Sequence, residues 1–98
     1  MADSTDTVER DRQALDLRVR GRSFSAIARA LEFPGAVDAN DAFNRALRRC
    51  PDQERKTIVA QELKRLDALA SAEQPDGDEK KAQRARAIKG LRDRLLRD

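Results

Sequence analysis

The sequence predicts an all-α fold, a small helical bundle with a basic C-terminal helix. Two observations support this fold class. β-branched residues are few, and no segment shows the alternation of apolar and polar residues that is typical of a half-buried strand. Apolar residues recur instead at intervals of three and four, and the turn-forming segments "EFPG", "CPD" and "EQPDGDE" separate these periodic stretches.

The first helix is predicted to begin after Ser4 or Thr5 and to end at about Arg20. Ser and Thr side chains within residues 4–7 supply N-caps, and Gly21 ends the helix because glycine readily adopts the conformation that follows a helix. Three apolar residues are predicted to share its buried face, Val8, Leu15 and Val19, with Ala14 and Leu17 beside it.

The second helix is predicted over residues 24–31, with Ser23 as its N-cap. Its apolar residues fall at i, i+3, i+4 and i+7 and make one stripe: Phe24, Ile27, Ala28 and Leu31. Pro34 disfavours helical conformation at Phe33, and Gly35 permits a tight turn, so "EFPG" ends this helix.

The third helix is predicted from Val37 or Asp38 to Arg49. One set of residues is predicted to be buried: Ala39, Ala42, Phe43, Ala46 and Leu47. Another is predicted to face water: Asp38, Asp41, Asn44, Arg45 and Arg48. Amphipathic spacing of this kind is typical of a helix that packs on one side only.

Two further helices are predicted around an acidic linker at residues 73–79. The fourth spans about residues 51–72, with a seam at Val59, Leu63, Leu66 and Ala70, broadened by Ile58 and Leu69. The fifth spans about residues 78–97, with a stripe at Ala85, Ile88, Leu91 and Leu95. Residues 80–97 carry eight basic groups and one acidic group. The predicted helices and the charge of the last one together indicate a four-helix domain over residues 1–73, followed by the linker and a basic amphipathic helix over residues 74–98.

The composition limits both the core and the location. The 98 residues are 39% hydrophobic and 40% charged, and 3% are aromatic. A core of this kind is small, aliphatic and marginally stable without a partner. The acidic start "MADSTDTVERD" does not resemble a secretory signal, and no segment reaches the roughly 18 apolar residues of a membrane span. We therefore expect a cytoplasmic protein that does not bind membranes.

Catalysis and metal binding have little support in the sequence. The chain has no His, Tyr or Trp and a single Cys, which removes most general bases, nucleophile relays and zinc ligands. We therefore expect a protein that is not an enzyme, with no catalytic residue, metal site or cofactor. Cys50 follows two arginines at a helix end, so either its thiol has a lowered pKa or the residue is incidental.

The second and third predicted helices have the spacing of a helix-turn-helix, at about residues 23–49. In this motif a small residue lets the two helices approach closely, and apolar residues hold them at a steep angle. The outer face of the second helix is then free to enter the major groove. "SFSAIARAL" supplies Ala28 as the small contact, and "AFNRALRR" supplies Phe43 and Leu47 for the inner face.

These phrases resemble the homeodomain-like helix-turn-helix of bacterial sigma factor region 4 and of phage terminase small subunits, in which "IA..L" followed by "RAL.R" recurs. The resemblance covers about residues 12–50. It implies that residues 38–49 form the recognition helix. Glu32 stands where glycine usually follows the leucine, which predicts a longer turn. Asp38 and Asp41 stand where the recognition helix normally meets bases and phosphates.

Two functions are consistent with these features. The first is a small bacterial DNA-binding protein, a transcriptional regulator or a nucleoid-associated protein, with duplex DNA as its partner. Arginine outnumbers lysine 16 to 5, which either favours phosphate and guanine contacts or reflects a GC-rich genome. Eight residues are predicted to bind DNA: Arg22, Asn44, Arg45, Arg48, Arg49, Lys80, Lys81 and Arg84.

In that reading Arg45 and Arg48 contact bases or phosphates, Asn44 reads a base edge, and Arg22 and Arg49 hold the backbone. Four arginines neutralise too few phosphates for tight binding, so a homodimer or the C-terminal helix would have to add charge. The second function is a helical adaptor that binds a protein of the transcription or translation machinery through helix 3 or the C-terminal helix.

Overall fold

The computed structural model describes residues 3–71 and 77–97, with side chains from residue 6 onward. Within these ranges the chain forms five α-helices: α1 (Asp3–Val19), α2 (Phe24–Leu31), α3 (Ala36–Arg49), α4 (Asp52–Ser71) and α5 (Asp78–Leu95). No strand occurs among the described residues. The predicted all-α class is confirmed, and each helix lies within a few residues of its predicted bounds.

The chain divides into two compact units, Met1–Arg55 and Lys56–Asp98. The first contains α1, α2, α3 and the first turn of α4, and the second contains the rest of α4 and α5. The predicted domain boundary, after residue 73, falls inside the second unit. Most of the predicted acidic linker, residues 73–76, lies outside the described residues.

The core of the first unit forms where α3 packs against both α1 and α2. Leu15, Ile27 and Phe43 are fully buried, and complete burial of each such side chain contributes about 1.5–3 kcal/mol. The rings of Phe24 and Phe43 meet edge to face, with 5.6 Å between their centroids. This geometry suits the quadrupoles of two aromatic rings and fixes α2 against α3.

The buried face of α1 differs from the predicted one. Val8 and Val19 are each 43% exposed, so their assignment to the core was wrong. Leu15 is buried as predicted, with Ala14 beside it, and Asp11 and Arg18 complete a buried face at i, i+3, i+4 and i+7. This face is in phase with Leu15, and its two charged residues are buried because each has partners, described below for Asp11. The Arg18 guanidinium lies 4.0 Å from the Phe24 ring centroid, as a cation–π contact.

Both ends of α2 are capped, which explains why so short a helix is well defined. The Ser23 hydroxyl accepts a hydrogen bond from the Ala26 amide at 3.1 Å, as predicted for an N-cap. At the other end Glu32 adopts the left-handed conformation, with φ of 60°, that a glycine usually takes. Arg10 of α1 donates to the carbonyls of Leu31 and Glu32, so a cation covers the negative end of α2.

The second unit buries fewer of its predicted apolar residues. Ile58, Leu66, Ile88 and Leu95 are buried. Three residues predicted to lie in the seam or the stripe are exposed: Leu69, Ala70 and Ala85. Glu62 is also buried and pairs with Arg65 at 3.4 Å. No helix within residues 3–71 or 77–97 combines the length and apolar character needed to cross a membrane.

Candidate nucleic-acid interface

Helix α3 leaves one stripe of its surface exposed. All five residues predicted for its inner face are buried: Ala39, Ala42, Phe43, Ala46 and Leu47. The residues that remain accessible are Val37, Asp38, Asp41, Arg45, Arg48 and Arg49. At 3.6 residues per turn these six lie within about 120° of the helix circumference. They form a continuous surface along the whole of α3, which we call the α3 stripe.

The charge of the α3 stripe changes sign along the helix. Asp38 and Asp41 lie toward its N-terminus, and Arg45, Arg48 and Arg49 lie toward its C-terminus. This order stabilises the helix, because carboxylates favour the positive end of the macrodipole and guanidinium groups favour the negative end. Any ligand that binds the stripe therefore meets an acidic half and a basic half.

Two of the three stripe arginines bind one buried carboxylate of α1. Arg45 approaches Asp11 with two nitrogens, Nε at 2.9 Å from Oδ2 and Nη2 at 3.0 Å from Oδ1. Arg49 adds a third hydrogen bond, from Nη1 to Oδ2 at 2.8 Å. Asp11 is 1% exposed, whereas the side chains of Arg45 and Arg49 are 39% and 43% exposed. The carboxylate is thus hidden beneath two arginines that still reach solvent. We call these three residues the Asp11 cluster.

The Asp11 cluster stays charged at neutral pH. Burial raises the pKa of Asp11, but the hydrogen bonds from Arg45 and Arg49 outweigh this effect and hold the pKa below its ordinary value. The hydrogen bond to Asp11 likewise raises the pKa of Arg45. Charge-assisted bidentate contacts of this kind are stronger and more directional than neutral hydrogen bonds. The cluster therefore fixes the orientation of the Arg45 guanidinium through two hydrogen bonds and holds the Arg49 guanidinium beside it through one.

The structure places Asn44 away from solvent. This residue was predicted to face water, but it is only 6% exposed, and its amide donates to Asn40 at the carbonyl oxygen (3.1 Å) and at Oδ1 (3.3 Å). That prediction was wrong because an asparagine that bonds to the preceding turn can be buried without losing its hydrogen bonds. With both donors directed at α3 itself, Asn44 does not present an amide to a base edge.

The other predicted DNA-binding residues are dispersed. Arg48 and Arg22 are exposed, and Arg22 directly precedes the N-cap of α2, whose first turn carries no acidic residue. Lys80 and Lys81 are exposed in the first turn of α5, and Arg84 is half-buried in its second turn. The structure therefore brings together Arg45, Arg48 and Arg49 on α3, with Arg22 in the same unit. The three α5 residues belong to the second unit.

A second polar cluster surrounds Cys50. Its buried thiol donates to Glu54 at 3.2 Å, and Arg12 donates to the same carboxylate oxygen at 2.9 Å. Burial raises the pKa of the Cys50 thiol, and the hydrogen bond to Glu54 raises it further. Of the two alternatives that the sequence left open, the lowered thiol pKa is wrong, because the thiol is buried and a carboxylate lies closer to the sulfur than the Arg12 guanidinium does. This thiol is a poor nucleophile at neutral pH.

Sequence reasoning did not identify Asp11 or Arg10 as residues that shape this surface. A signal for Asp11 was present, because it precedes Ala14 and Leu15 by three and four residues and is in phase with them on one helical face. A carboxylate in such a position is buried only when it has a cationic partner. The "RALRR" segment supplies two partners, but the sequence does not show that α3 crosses α1 at this point.

No group of three or more His, Cys, Asp or Glu residues within 3–71 and 77–97 is placed to hold a metal ion. No protein-family model matches the chain, and no curated protein or solved structure matches it.

Proposed function

We propose that this protein binds duplex DNA through the basic half of the α3 stripe, as a small helix-turn-helix protein that regulates transcription or organises the nucleoid. One observation carries the proposal: Arg45, Arg48 and Arg49 lie together on the accessible face of the helix that follows α2 and its turn. Guanidinium groups bond to phosphate and to the O6 and N7 atoms of guanine, so they suit both affinity and recognition.

The proposed DNA contacts differ from those predicted from the sequence. Arg48 is the freest of the three to enter the groove, since it makes no ion pair with any described residue, whereas Arg45 and Arg49 are oriented by Asp11. Arg22, which is exposed next to the N-terminus of α2, contacts the DNA backbone in this proposal. Asn44 is not part of the proposed interface, because its side chain is buried.

The charge of the two units indicates weak and salt-sensitive binding. Residues 1–55 contain ten basic and ten acidic residues, and residues 56–98 contain eleven and eight. Four arginine contacts give a slope of log affinity against log salt of about −3 to −4. Tight binding at physiological salt therefore requires a homodimer or additional phosphate contacts from Lys80, Lys81 and Arg84.

The experiment is a titration of fluorescently labelled duplex DNA with the full chain, followed by anisotropy at several salt concentrations. Arg48→Ala should weaken binding by about tenfold, which corresponds to the loss of one good contact. Lys64→Ala, which removes the same charge from the exposed face of α4, is the matched control and should have a much smaller effect. Absence of wild-type binding at low salt would rule out the proposal.

A second function is favoured by one specific observation. Asp38 and Asp41 are exposed on the first turns of α3, where a DNA reader would approach phosphates. The adaptor function explains these acids as contacts to a basic segment of a partner protein. A nuclease-treated pulldown with the full chain tests it: a co-purifying protein that is lost when Asp38 and Asp41 are changed to Asn supports the adaptor, and retention of that protein contradicts it.

A further inference from the structure

We infer that Asp11 is a positioning residue, which holds Arg45 and Arg49 so that their remaining N–H groups form one site for a phosphate group of duplex DNA. This inference rests on the proposed DNA-binding function and assigns a role to a residue that does not itself reach the surface.

The hydrogen bonds of the Asp11 cluster determine which donors remain. Arg45 uses Nε and Nη2, which fixes the plane of its guanidinium and leaves Nη1. Arg49 uses Nη1, which leaves Nε and Nη2. These three remaining nitrogens have no acceptor among the described residues, and both side chains are accessible to solvent. An anion with several oxygens, such as a phosphodiester, can accept from both arginines at once.

The two guanidinium groups are held next to each other. Arg45 Nε and Arg49 Nη1 both bond to Oδ2 of Asp11, at 2.9 Å and 2.8 Å. Residues 45 and 49 are also one helical turn apart, so their Cβ atoms lie about 5–6 Å from each other. Two cations so close would repel and separate in water. The carboxylate between them offsets this repulsion, and it does so from beneath, where it is shielded from an approaching phosphate.

Positioning matters because flexible arginines lose conformational freedom when they bind. In the Asp11 cluster most of that freedom is already lost on folding, so less is lost when DNA binds. The cluster as a whole carries one net positive charge. Arg48, without a fixed partner, supplies charge of the same sign but no fixed geometry. The structure therefore separates one pre-arranged phosphate site from one adaptable contact on the same helix.

The role of Asp11 can be tested by asking whether Asp11→Asn strengthens or weakens DNA binding. Asp11→Asn makes the protein more positive by one charge, so a residue that only neutralises arginine should give tighter DNA binding when it is changed. A positioning residue should give weaker binding, because asparagine cannot hold both guanidinium groups through charged oxygens. The two roles thus predict opposite changes from the same substitution.

The experiment measures binding of the full chain to a labelled random duplex by anisotropy, across a salt series. Asp41→Asn is the matched control, because Asp41 is exposed on the same stripe and its replacement adds the same charge. We expect Asp41→Asn to bind a few-fold tighter than wild type. We expect Asp11→Asn to bind at least threefold weaker than wild type, with its salt slope smaller by about one unit because one phosphate contact is lost.

Asp11→Asn that binds as tightly as Asp41→Asn, with an unchanged salt slope, would overturn the inference while leaving the proposed function intact. A wild-type chain that does not bind DNA would overturn both. Circular dichroism at the assay temperature shows whether Asp11→Asn is folded. If it is not, Arg49→Lys gives the decisive result: it keeps the charge but loses the planar fork. Weaker DNA binding by folded Arg49→Lys supports positioning, and unchanged binding contradicts it.

Discussion

The two units of the chain use charge in different ways. In the first unit, basic and acidic residues are equal in number, and a buried aspartate fixes two arginines in a defined arrangement. In the second unit, basic residues are in excess, but Lys80 and Lys81 extend from the first turn of α5 without an ion pair to any described residue. The first unit therefore holds arginines in a defined arrangement but has no net charge. The second unit has a net positive charge, but its exposed Lys80 and Lys81 are not held in a defined arrangement.

This difference separates two contributions to nucleic-acid binding. Mobile lysines lower the free energy of binding to any polyanion, and their contribution depends strongly on salt. Fixed guanidinium groups contribute less to the overall field, but they discriminate between orientations of the DNA. On the proposed function, the Asp11 cluster sets how DNA lies on the protein, and α5 sets how strongly it is attracted.

The largest effect is expected from Phe43→Ala, which attacks the packing that gives the first unit its geometry. Phe43 of α3 is fully buried and contacts the Phe24 ring of α2, and such truncations cost about 3–5 kcal/mol. Leu69→Ala in the second unit removes a half-exposed side chain and should cost well under 1 kcal/mol. Urea unfolding followed by circular dichroism measures both, and similar losses would mean that the first unit is not the better packed one.

The next effect concerns pH. The pKa of Asp11 is lowered in the folded protein, so the stability that Asp11 provides is present above its unfolded pKa, near 4, and is lost as the pH falls through the folded value. We expect the free energy of unfolding to fall as the pH decreases below about 4, and to fall less in Asp11→Asn. Urea unfolding at a series of pH values measures this. Parallel curves for the two proteins would show that Asp11 is not responsible.

The composition of each buried face explains what could be predicted from the sequence. The apolar residues of α3 that face the core were predicted correctly because their spacing is regular, although the burial of Asn44 was not predicted. The face of α1 was not predicted correctly, because Asp11 and Arg18 replace apolar residues on the buried side and their partners come from α2 and α3. The seam predicted for α4 was wrong in part for a similar reason. Leu66 is buried as predicted, but Glu62 is buried as well and Leu69 is exposed. Helix periodicity identifies apolar contacts, whereas buried charges depend on which helices cross.

The Asp11 cluster shows this limit most clearly. The spacing of Arg45, Arg48 and Arg49 placed them together on α3, but nothing in the sequence distinguishes the two that bond to Asp11 from Arg48. The burial of Asn44 could not be anticipated either, because its hydrogen bonds to Asn40 satisfy the amide within α3 itself. The bounds of the helices follow from residues that are close in sequence. The roles of the charged side chains follow from contacts between residues that are far apart in sequence, such as Asp11 and Arg45.

A moderate effect is expected from Ser23→Ala, at the start of α2. The Ser23 hydroxyl caps the helix by accepting from Ala26, and loss of such a cap costs about 1 kcal/mol. Ser25→Ala, on the exposed side of the same helix, is the control and should change stability very little. Thermal unfolding by circular dichroism compares the two. Equal melting temperatures would show that α2 is held by packing and by Arg10 alone.

The smallest effect is expected in sequence preference, and it most directly tests the contrast between the units: it is the difference between Arg48→Ala and Lys80→Ala across duplexes of different sequence. Each substitution removes one positive charge from an exposed position. Loss of Lys80 should weaken binding to every duplex by the same few-fold factor and reduce the salt slope by about one. Loss of Arg48 should weaken binding more to some duplexes than to others, because an arginine in the major groove contacts base edges as well as phosphates.

Anisotropy with a panel of duplexes at fixed salt measures the affinity of both variants for each duplex. If the two variants reduce affinity uniformly, α3 contacts only the DNA backbone, and the first unit contributes orientation but no sequence recognition.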